Sequence, residues 1–131
     1  MVQNYGIFTP TQLTCFYKSP YVAWMNEMSQ RYPSRYQKDE ISEQDELLFA
    51  LGDEHERQYL DYLKTTDRTI AEIDKERHEA RPQKTLEALQ QGYDVVFQAE
   101  LSNSYFHGKA DFLFKVPVPS ALGEHSYIIA D

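Results

Sequence analysis

The spacing of apolar residues changes once along this chain, at Gly92, and that change limits what the chain can fold into. Before Gly92, apolar residues recur every three or four positions, which is typical of amphipathic α-helices. After Gly92 they alternate with more polar residues, as in half-buried β-strands. The pattern predicts an α/β fold in a single domain spanning residues 1–131, with residues 1–92 mainly helical and residues 93–131 mainly β.

Capping residues indicate where the helices begin and end. Thr9-Pro10-Thr11-Gln12 combines a capping box with proline at the first helical position. Ser19-Pro20 restarts or kinks that helix, and residues 29–40 read as a loop. A second helix is predicted from Ser42 to about Lys64. A third is predicted from about Pro82 to Gln91, where Gly92 provides a C-terminal cap.

Two alternating segments flank a turn-rich connection at residues 102–108 and predict a β-hairpin. Strict alternation places Val95, Phe97, Ala99 and Leu101 on one face of the first strand, and Ala110, Phe112, Phe114 and Val116 on one face of the second. Further strands are expected at Thr69–Asp74 and Ser126–Ala130.

Composition narrows the class of protein. The net charge of -8 argues against a non-specific nucleic-acid binder, which normally carries a basic surface. It is compatible with a carboxylate metal site, because a bound cation inverts the local field. No apolar run reaches the length of a membrane span, and the N-terminus does not resemble a secretory signal. The single cysteine, Cys15, fits a reducing compartment, so we expect a cytoplasmic protein without a membrane partner.

Several common chemistries have no motif in this sequence. The four histidines, at positions 55, 78, 107 and 125, and the one cysteine show no zinc-binding spacing. The sequence contains no glycine-rich phosphate loop, nucleophile elbow or dinucleotide fingerprint.

Two aspartates accompany strand patterns. Asp111 lies among Phe, Leu and Val residues shortly after Gly108, and Asp131 follows the apolar segment 127–130. A carboxylate in such a position must be exposed, paired or bound to a cation, because burying it bare is very costly. Taken singly, each aspartate would most simply face solvent. Taken together, acids on two neighbouring strands can converge on one hard cation such as Mg²⁺ or Mn²⁺.

The second helix carries His55 and Glu56 within its apolar pattern. His55 shares a stripe with Leu48, Leu51, Tyr59 and Tyr62, and Glu56 shares the adjoining stripe with Phe49, Gly52, Leu60 and Leu63. We therefore expect both side chains on the core side, where a histidine is commonly a hydrogen-bonded core residue. Gly52 costs about 1 kcal/mol relative to alanine inside a helix. Its presence indicates either close approach of another backbone or a phosphate, or an ordinary packing contact.

These residues together resemble the RecB-like branch of the PD-(D/E)XK nucleases over nearly the whole chain. The similarity lies in five short motifs, in order: Thr11-Gln12-Leu13 with Ser19-Pro20-Tyr21, Gly52-Asp53-Glu54-His55-Glu56 with Tyr59-Leu60, Gly92-Tyr93-Asp94-Val95-Val96-Phe97-Gln98-Ala99, Gly108-Lys109-Ala110-Asp111-Phe112-Leu113, and Pro119-Ser120-Ala121-Leu122-Gly123 with Tyr127-Ile128-Ile129-Ala130-Asp131.

The resemblance implies a restriction-endonuclease-like core, with N-terminal helices packed on a small mixed sheet that is incomplete at its C-terminal side. It implies that His55, Asp111 and Asp131 ligate Mg²⁺ or Mn²⁺, that Asp111, Asp131 and Glu56 serve catalysis, and that DNA is the substrate, in repair or recombination. No iron-sulfur cluster is expected from one cysteine. The family's lysine would come two residues after Asp131, beyond this sequence, so we expect the 131-residue chain alone to be a weak or inactive nuclease.

Two alternatives stay open. The chain is a truncated relative that acts as a non-catalytic interaction module, or it is a nucleic-acid-binding domain without hydrolysis. An incomplete sheet would also expose an edge strand, through which two copies could pair as a homodimer.

Overall fold

The computed structural model describes residues 6–130 and has the element order that the sequence predicts. Within that range lie four α-helices and a four-stranded sheet: α1 (Pro10–Lys18), α2 (Pro20–Arg31), α3 (Glu43–Lys64), β1 (Ile70–Glu72), α4 (Arg81–Gln91), β2 (Val95–Ser102), β3 (His107–Val116) and β4 (Ser126–Ala130). Two short 3-10 turns, Ile73–Lys75 and His78–Ala80, lie between β1 and α4. The predicted α/β class is confirmed.

The helix boundaries follow from the caps. Thr9 accepts a hydrogen bond from the Gln12 backbone N–H at 3.2 Å, and the Gln12 side chain accepts one from the Thr9 N–H at 2.8 Å. Ser19 separates α1 from α2 and caps α2, while Ser42 accepts a bond from the backbone N–H of Asp45 at 3.2 Å. Gly92 ends α4 with a φ of 77°, a conformation that glycine adopts without steric cost.

The sheet is small and mixed, as expected. Its strands lie in the order β1-β2-β3-β4; β1 runs parallel to β2, and the other neighbours are antiparallel. In this register Val95 lies opposite Phe114, and Ala130 lies opposite Phe112. None of the helices within residues 6–130 is both long and apolar enough to cross a membrane.

Each face of the sheet carries one apolar cluster. On the α4 face, Ala88 and Leu89 belong to the same cluster as four residues of the hairpin: Val96, Ala99, Ala110 and Leu113. On the α3 face, Leu60 and Leu63 belong to a cluster with Val95, Phe97 and Phe112. The hairpin therefore forms the middle of a three-layer arrangement, with its two faces covered by different helices.

The strict alternation predicted for the hairpin is wrong at one point. Ala99 lies on the α4 face with Val96, not on the α3 face with Phe97. Gln98, between them, has a φ of 53°, in the left-handed region that few side chains adopt. This single conformation shifts the alternation by one residue. The same shift occurs opposite it in β3, where Ala110 and Leu113 share a face although they are three residues apart.

The face of α3 that packs on the sheet also differs from the prediction. Leu48, Leu51, His55, Tyr59 and Tyr62 are exposed, whereas Leu60 and Leu63 of the adjoining stripe are buried. The adjoining stripe is buried because Leu60 and Leu63 share the cluster with Phe97 and Phe112. Only the second half of α3 is anchored in this way; Leu47, Leu48 and Phe49 in the first half are exposed.

The segment before α1 joins the hairpin. The Phe8 N–H donates to the Tyr105 carbonyl at 2.7 Å, and the His107 N–H donates to the Phe8 carbonyl at 3.0 Å. A Cβ atom added at Gly108 would lie 3.1 Å from Pro10 Cγ, closer than side chains normally pack. Gly108 thus permits α1 to begin directly against the start of β3.

Candidate metal centre

Gln98 joins two carboxylates that come from different elements. Its side-chain amide donates a hydrogen bond to Glu56 Oε1 of α3, and the same nitrogen lies 3.3 Å from Asp111 Oδ1 of β3. Because the alternation shifts at Gln98, this side chain is turned toward α3 next to Phe97. The structure thereby brings one acid from the helix and one from the hairpin to a single amide.

The partly buried surroundings of Glu56 change its pKa. Desolvation by burial raises the pKa of Glu56 above its ordinary value of 4.5, and the negative charges of Asp111 and Asp53 raise it further. The hydrogen bond from Gln98 and the charge of Arg57 act in the opposite direction, without cancelling the increase. Raised pKa values that result from burial and a nearby like charge are characteristic of functional carboxylates.

Aromatic side chains border the carboxylates on the α3 face. The rings of Tyr59 and Phe112 meet edge to face, with centroids 5.1 Å apart, and the rings of Phe97 and Phe112 lie 5.2 Å apart. Phe112 directly follows Asp111, and Tyr59 follows Glu56 by almost one helical turn. Of these rings, Phe97 and Phe112 are buried and Tyr59 is exposed, so the carboxylates lie where the apolar core meets the surface.

The structure brings together two of the four predicted site residues. Glu56 and Asp111 share Gln98 as a hydrogen-bond partner. The expectation that His55 faces the core is wrong, because its side chain is exposed. Asp131, the fourth predicted residue, lies outside the described residues.

Gln98 is the residue that sequence reasoning missed. A signal was present, since Gln98 is a polar residue within a segment otherwise built of Val, Phe and Ala. Pairing the strands around the 102–108 connection would have set it opposite Asp111. The observed register has this relationship, with Phe97 opposite Phe112 and Ala99 opposite Ala110 on either side.

Oxygen donors dominate the chemistry of this cluster. The carboxylates of Glu56 and Asp111 are of the ligand type that Mg²⁺ and Mn²⁺ prefer, whereas Gln98 presents its donor nitrogen to both of them. Within residues 6–130, no three His, Cys, Asp or Glu side chains already stand at the spacing of metal ligands. The described part of the chain therefore supplies two acidic ligands of a possible centre.

Gly52 lies one turn before Glu56, and its surroundings do not show the packing contact that was one expected reason for a glycine there. A Cβ atom added at Gly52 would meet no described atom within 4 Å, so neither another backbone nor a packed side chain explains the glycine. The helix surface next to the two carboxylates is open at this point. Approach of a phosphate to it stays a prediction.

Comparison of the chain with protein-family models gives no match, and comparison with curated proteins and with solved structures gives none either.

Proposed function

We propose that this chain carries most of the active site of a metal-dependent nuclease of the RecB-like type, with a restriction-endonuclease-like core and DNA as the substrate. The observation that supports this most strongly is the meeting of Glu56 and Asp111 at Gln98. Two acids from separate elements, close enough for Asp111 to raise the pKa of Glu56, favour the binding of a cation between them.

The two carboxylates are of the ligand type that suits Mg²⁺ or Mn²⁺. Asp111, His55 and Asp131 would hold the ion, and Glu56 would be a neighbouring acid, either a ligand through water or an organiser of α3. When bound, the ion would polarise the scissile phosphate and make a water molecule more acidic. Gln98 orients both carboxylates. In the metal-free chain, the raised pKa of Glu56 makes its carboxylate a stronger proton acceptor than an ordinary one.

Asp131 enters the proposal through the sequence. Ala130 of β4 pairs with Phe112 in β3, and Asp131 is the next residue. The family's lysine, two residues after Asp131, lies outside the 131 residues. In the proposed mechanism that lysine would position the water and stabilise the transition state. We therefore expect cleavage to depend on that lysine, and metal binding to be independent of it.

The experiment is a binding and cleavage assay with Mn²⁺. The 131-residue chain is titrated with Mn²⁺ by calorimetry and incubated with single-stranded and duplex DNA, beside a longer chain that carries lysine two residues after Asp131. Asp111→Asn should abolish Mn²⁺ binding in both chains, and cleavage in the longer one. Asp61→Asn, which changes an exposed aspartate on α3, is the matched control. Mn²⁺ binding that survives Asp111→Asn contradicts the proposal.

One observation favours a second candidate, a non-catalytic interaction module. The first half of α3 exposes Leu47, Leu48 and Phe49, an apolar surface of the kind that protein partners cover. In that case Mn²⁺ binding is weak, and the variants at Asp111 and His55 change neither DNA binding nor stability. A DNA-binding domain without hydrolysis would instead show an affinity for DNA that falls steeply with salt.

Two further predictions belong to the same proposal. A homodimer would form through the edge of the sheet at β4, where Ile128 and Ile129 are exposed. A cytoplasmic location follows from the reducing conditions that a single free cysteine indicates.

A further inference from the structure

Glu100 is a buried carboxylate on β2, outside the candidate metal centre. Its side chain is 2% exposed, and its backbone N–H donates to the buried Thr85 hydroxyl at 3.0 Å. The Oε2 atom is buried, and among the described residues it has no hydrogen-bond partner. An ionised carboxylate in such a place needs compensating positive charge, and an unsatisfied buried oxygen calls for an explanation such as an ion.

Two histidines from different elements approach the other carboxylate oxygen. Nε2 of His107, the first residue of β3, lies 3.0 Å from Glu100 Oε1. Nδ1 of His78, at the start of the second 3-10 turn, lies 3.9 Å from the same atom. The His107 side chain is 32% exposed and the His78 side chain is 73% exposed. The carboxylate is therefore buried, whereas the two imidazole rings are accessible to solvent.

We propose that Glu100, His78 and His107 form a binding site for a divalent transition-metal ion, with Zn²⁺ as the preferred ion. Imidazole nitrogens and a carboxylate oxygen suit Zn²⁺, whereas Mg²⁺ prefers a shell of oxygens. The ion would supply the positive charge that the buried carboxylate lacks. This site is independent of the proposed nuclease function, since it uses none of the same side chains.

The interatomic distances lie close to those of a zinc site. When each ligand is about 2.0–2.1 Å from a tetrahedral Zn²⁺, neighbouring ligand atoms stand about 3.3 Å apart. The observed 3.0 Å and 3.9 Å lie on either side of that value. No three His, Cys, Asp or Glu side chains within residues 6–130 are placed to hold a metal ion as they stand, so binding requires the His78 side chain to move toward Glu100 and His107. Its exposed side chain can make that movement without disturbing the core.

The order of these residues in the sequence explains why spacing did not reveal the site. His78, Glu100 and His107 come from a 3-10 turn, from β2 and from β3, and only the sheet register and the packing of the turn bring them together. Three protein ligands would leave a fourth position for water, as in catalytic rather than purely structural zinc sites.

The test is a calorimetric titration of the tag-free 131-residue chain with ZnCl₂ in a buffer that does not chelate metals. We expect one Zn²⁺ per chain. His78→Gln, a change at an exposed side chain, should weaken the affinity roughly tenfold or more, and His107→Gln should do the same. Replacement of Zn²⁺ by Co²⁺ adds a second measurement, because visible absorption bands of bound Co²⁺ would report nitrogen and oxygen ligands and should disappear in both variants.

His125→Gln serves as the control, because it removes a histidine outside both proposed metal sites, and His55→Gln reports on the candidate metal centre. Zinc binding that is lost in His55→Gln but kept in His78→Gln would assign the ion to the candidate metal centre and overturn the proposal. Saturable binding that neither His78→Gln nor His107→Gln weakens would also overturn it, as would the absence of any zinc binding by the folded wild-type chain. In each of those cases the contact between Glu100 and His107 is structural only.

Discussion

The side-chain amide of Gln98 lies 3.3 Å from the carboxylate of Asp111 and also donates to Glu56, so one side chain sets the positions of two acids. Gln98 and Asp111 face each other across the hairpin at the point where both strands shift their alternation. A residue held in the left-handed region costs of the order of 1–3 kcal/mol and persists where the surrounding structure compensates, which is frequent at functional sites. The contacts of Gln98 with the two acids provide that compensation.

Because Gln98 has a positive φ, we expect glycine to be more stable than alanine at this position, the reverse of the usual order within a strand. Both Gln98→Ala and Gln98→Gly remove the amide, but only the alanine variant keeps the steric cost of a φ of 53°. We expect Gln98→Gly to be more stable than Gln98→Ala by about 1 kcal/mol in urea unfolding. At Ser102, the last residue of the same strand, the alanine variant should be more stable than the glycine variant by about 0.5–1 kcal/mol. The prediction is contradicted if the same residue, glycine or alanine, gives the more stable variant at both positions.

The raised pKa of Glu56 makes stability depend on pH. Because this pKa is higher in the folded chain than in the unfolded chain, the unfolded chain loses the proton first as the pH rises. Glu56 therefore lowers the free energy of unfolding progressively as the pH rises from about its ordinary pKa of 4.5 through the raised value. Glu56→Gln should gain stability relative to wild type across that window and keep the gain above it.

Thermal unfolding of the two proteins at a series of acidic to neutral pH values measures this difference. Asp111→Asn should reduce the pH dependence but not remove it, since burial is the largest cause of the raised pKa and the charge of Asp111 a smaller one. A difference between wild type and Glu56→Gln that is constant across the series would show that the pKa of Glu56 is not raised.

Replacing Gly52 by alanine should increase the stability of α3. An added Cβ meets open space, so Gly52→Ala should raise the free energy of unfolding by about 1 kcal/mol through helix propensity alone. Ala50→Gly, at another exposed position of α3, should lower it by a similar amount. If Gly52→Ala destabilises the chain, the side chain at position 52 meets an obstacle that the structure does not contain.

The effects on stability of substitutions at Gly108 and Pro10 should be coupled. A Cβ at position 108 lies 3.1 Å and 3.3 Å from two carbons of the Pro10 ring, so Gly108→Ala should destabilise the wild-type chain. In a Pro10→Ala background the same change should become stabilising, because alanine is preferred over glycine within a strand by about 0.5–1 kcal/mol. A double-mutant cycle measured by chemical unfolding tests this, and additive effects of the two changes would contradict it.

Local signals predicted the parts of the fold that depend on neighbouring residues. Thr9, Ser19 and Ser42 cap helices and Gly92 ends one, because these interactions are completed within three or four residues. The strand β4 likewise lies where the local apolar pattern predicts it, at Ser126–Ala130.

The faces of the elements could not be read in the same way. Two adjoining stripes of α3 are both apolar, and contact with Phe97 and Phe112 decides that Leu60 and Leu63 are buried rather than Leu48 and Leu51. In β2, one dihedral angle at Gln98 decides the face of the residues that follow it, and sequence alternation carries no information about that angle. The sequence pointed to Glu56 and Asp111 as candidate site residues, whereas Gln98 was missed although strand pairing sets it opposite Asp111.

The bridge between Phe8 and the hairpin has a consequence for how the chain is made. Phe8 exchanges backbone hydrogen bonds with Tyr105 and His107, and its ring lies 6.5 Å from that of Phe106. Because these partners are synthesised almost a hundred residues later, the segment that precedes α1 leaves the ribosome long before its place on the sheet exists. Until then this segment lacks its native hydrogen-bond partners, and α1 can pack against Gly108 only after β3 has emerged.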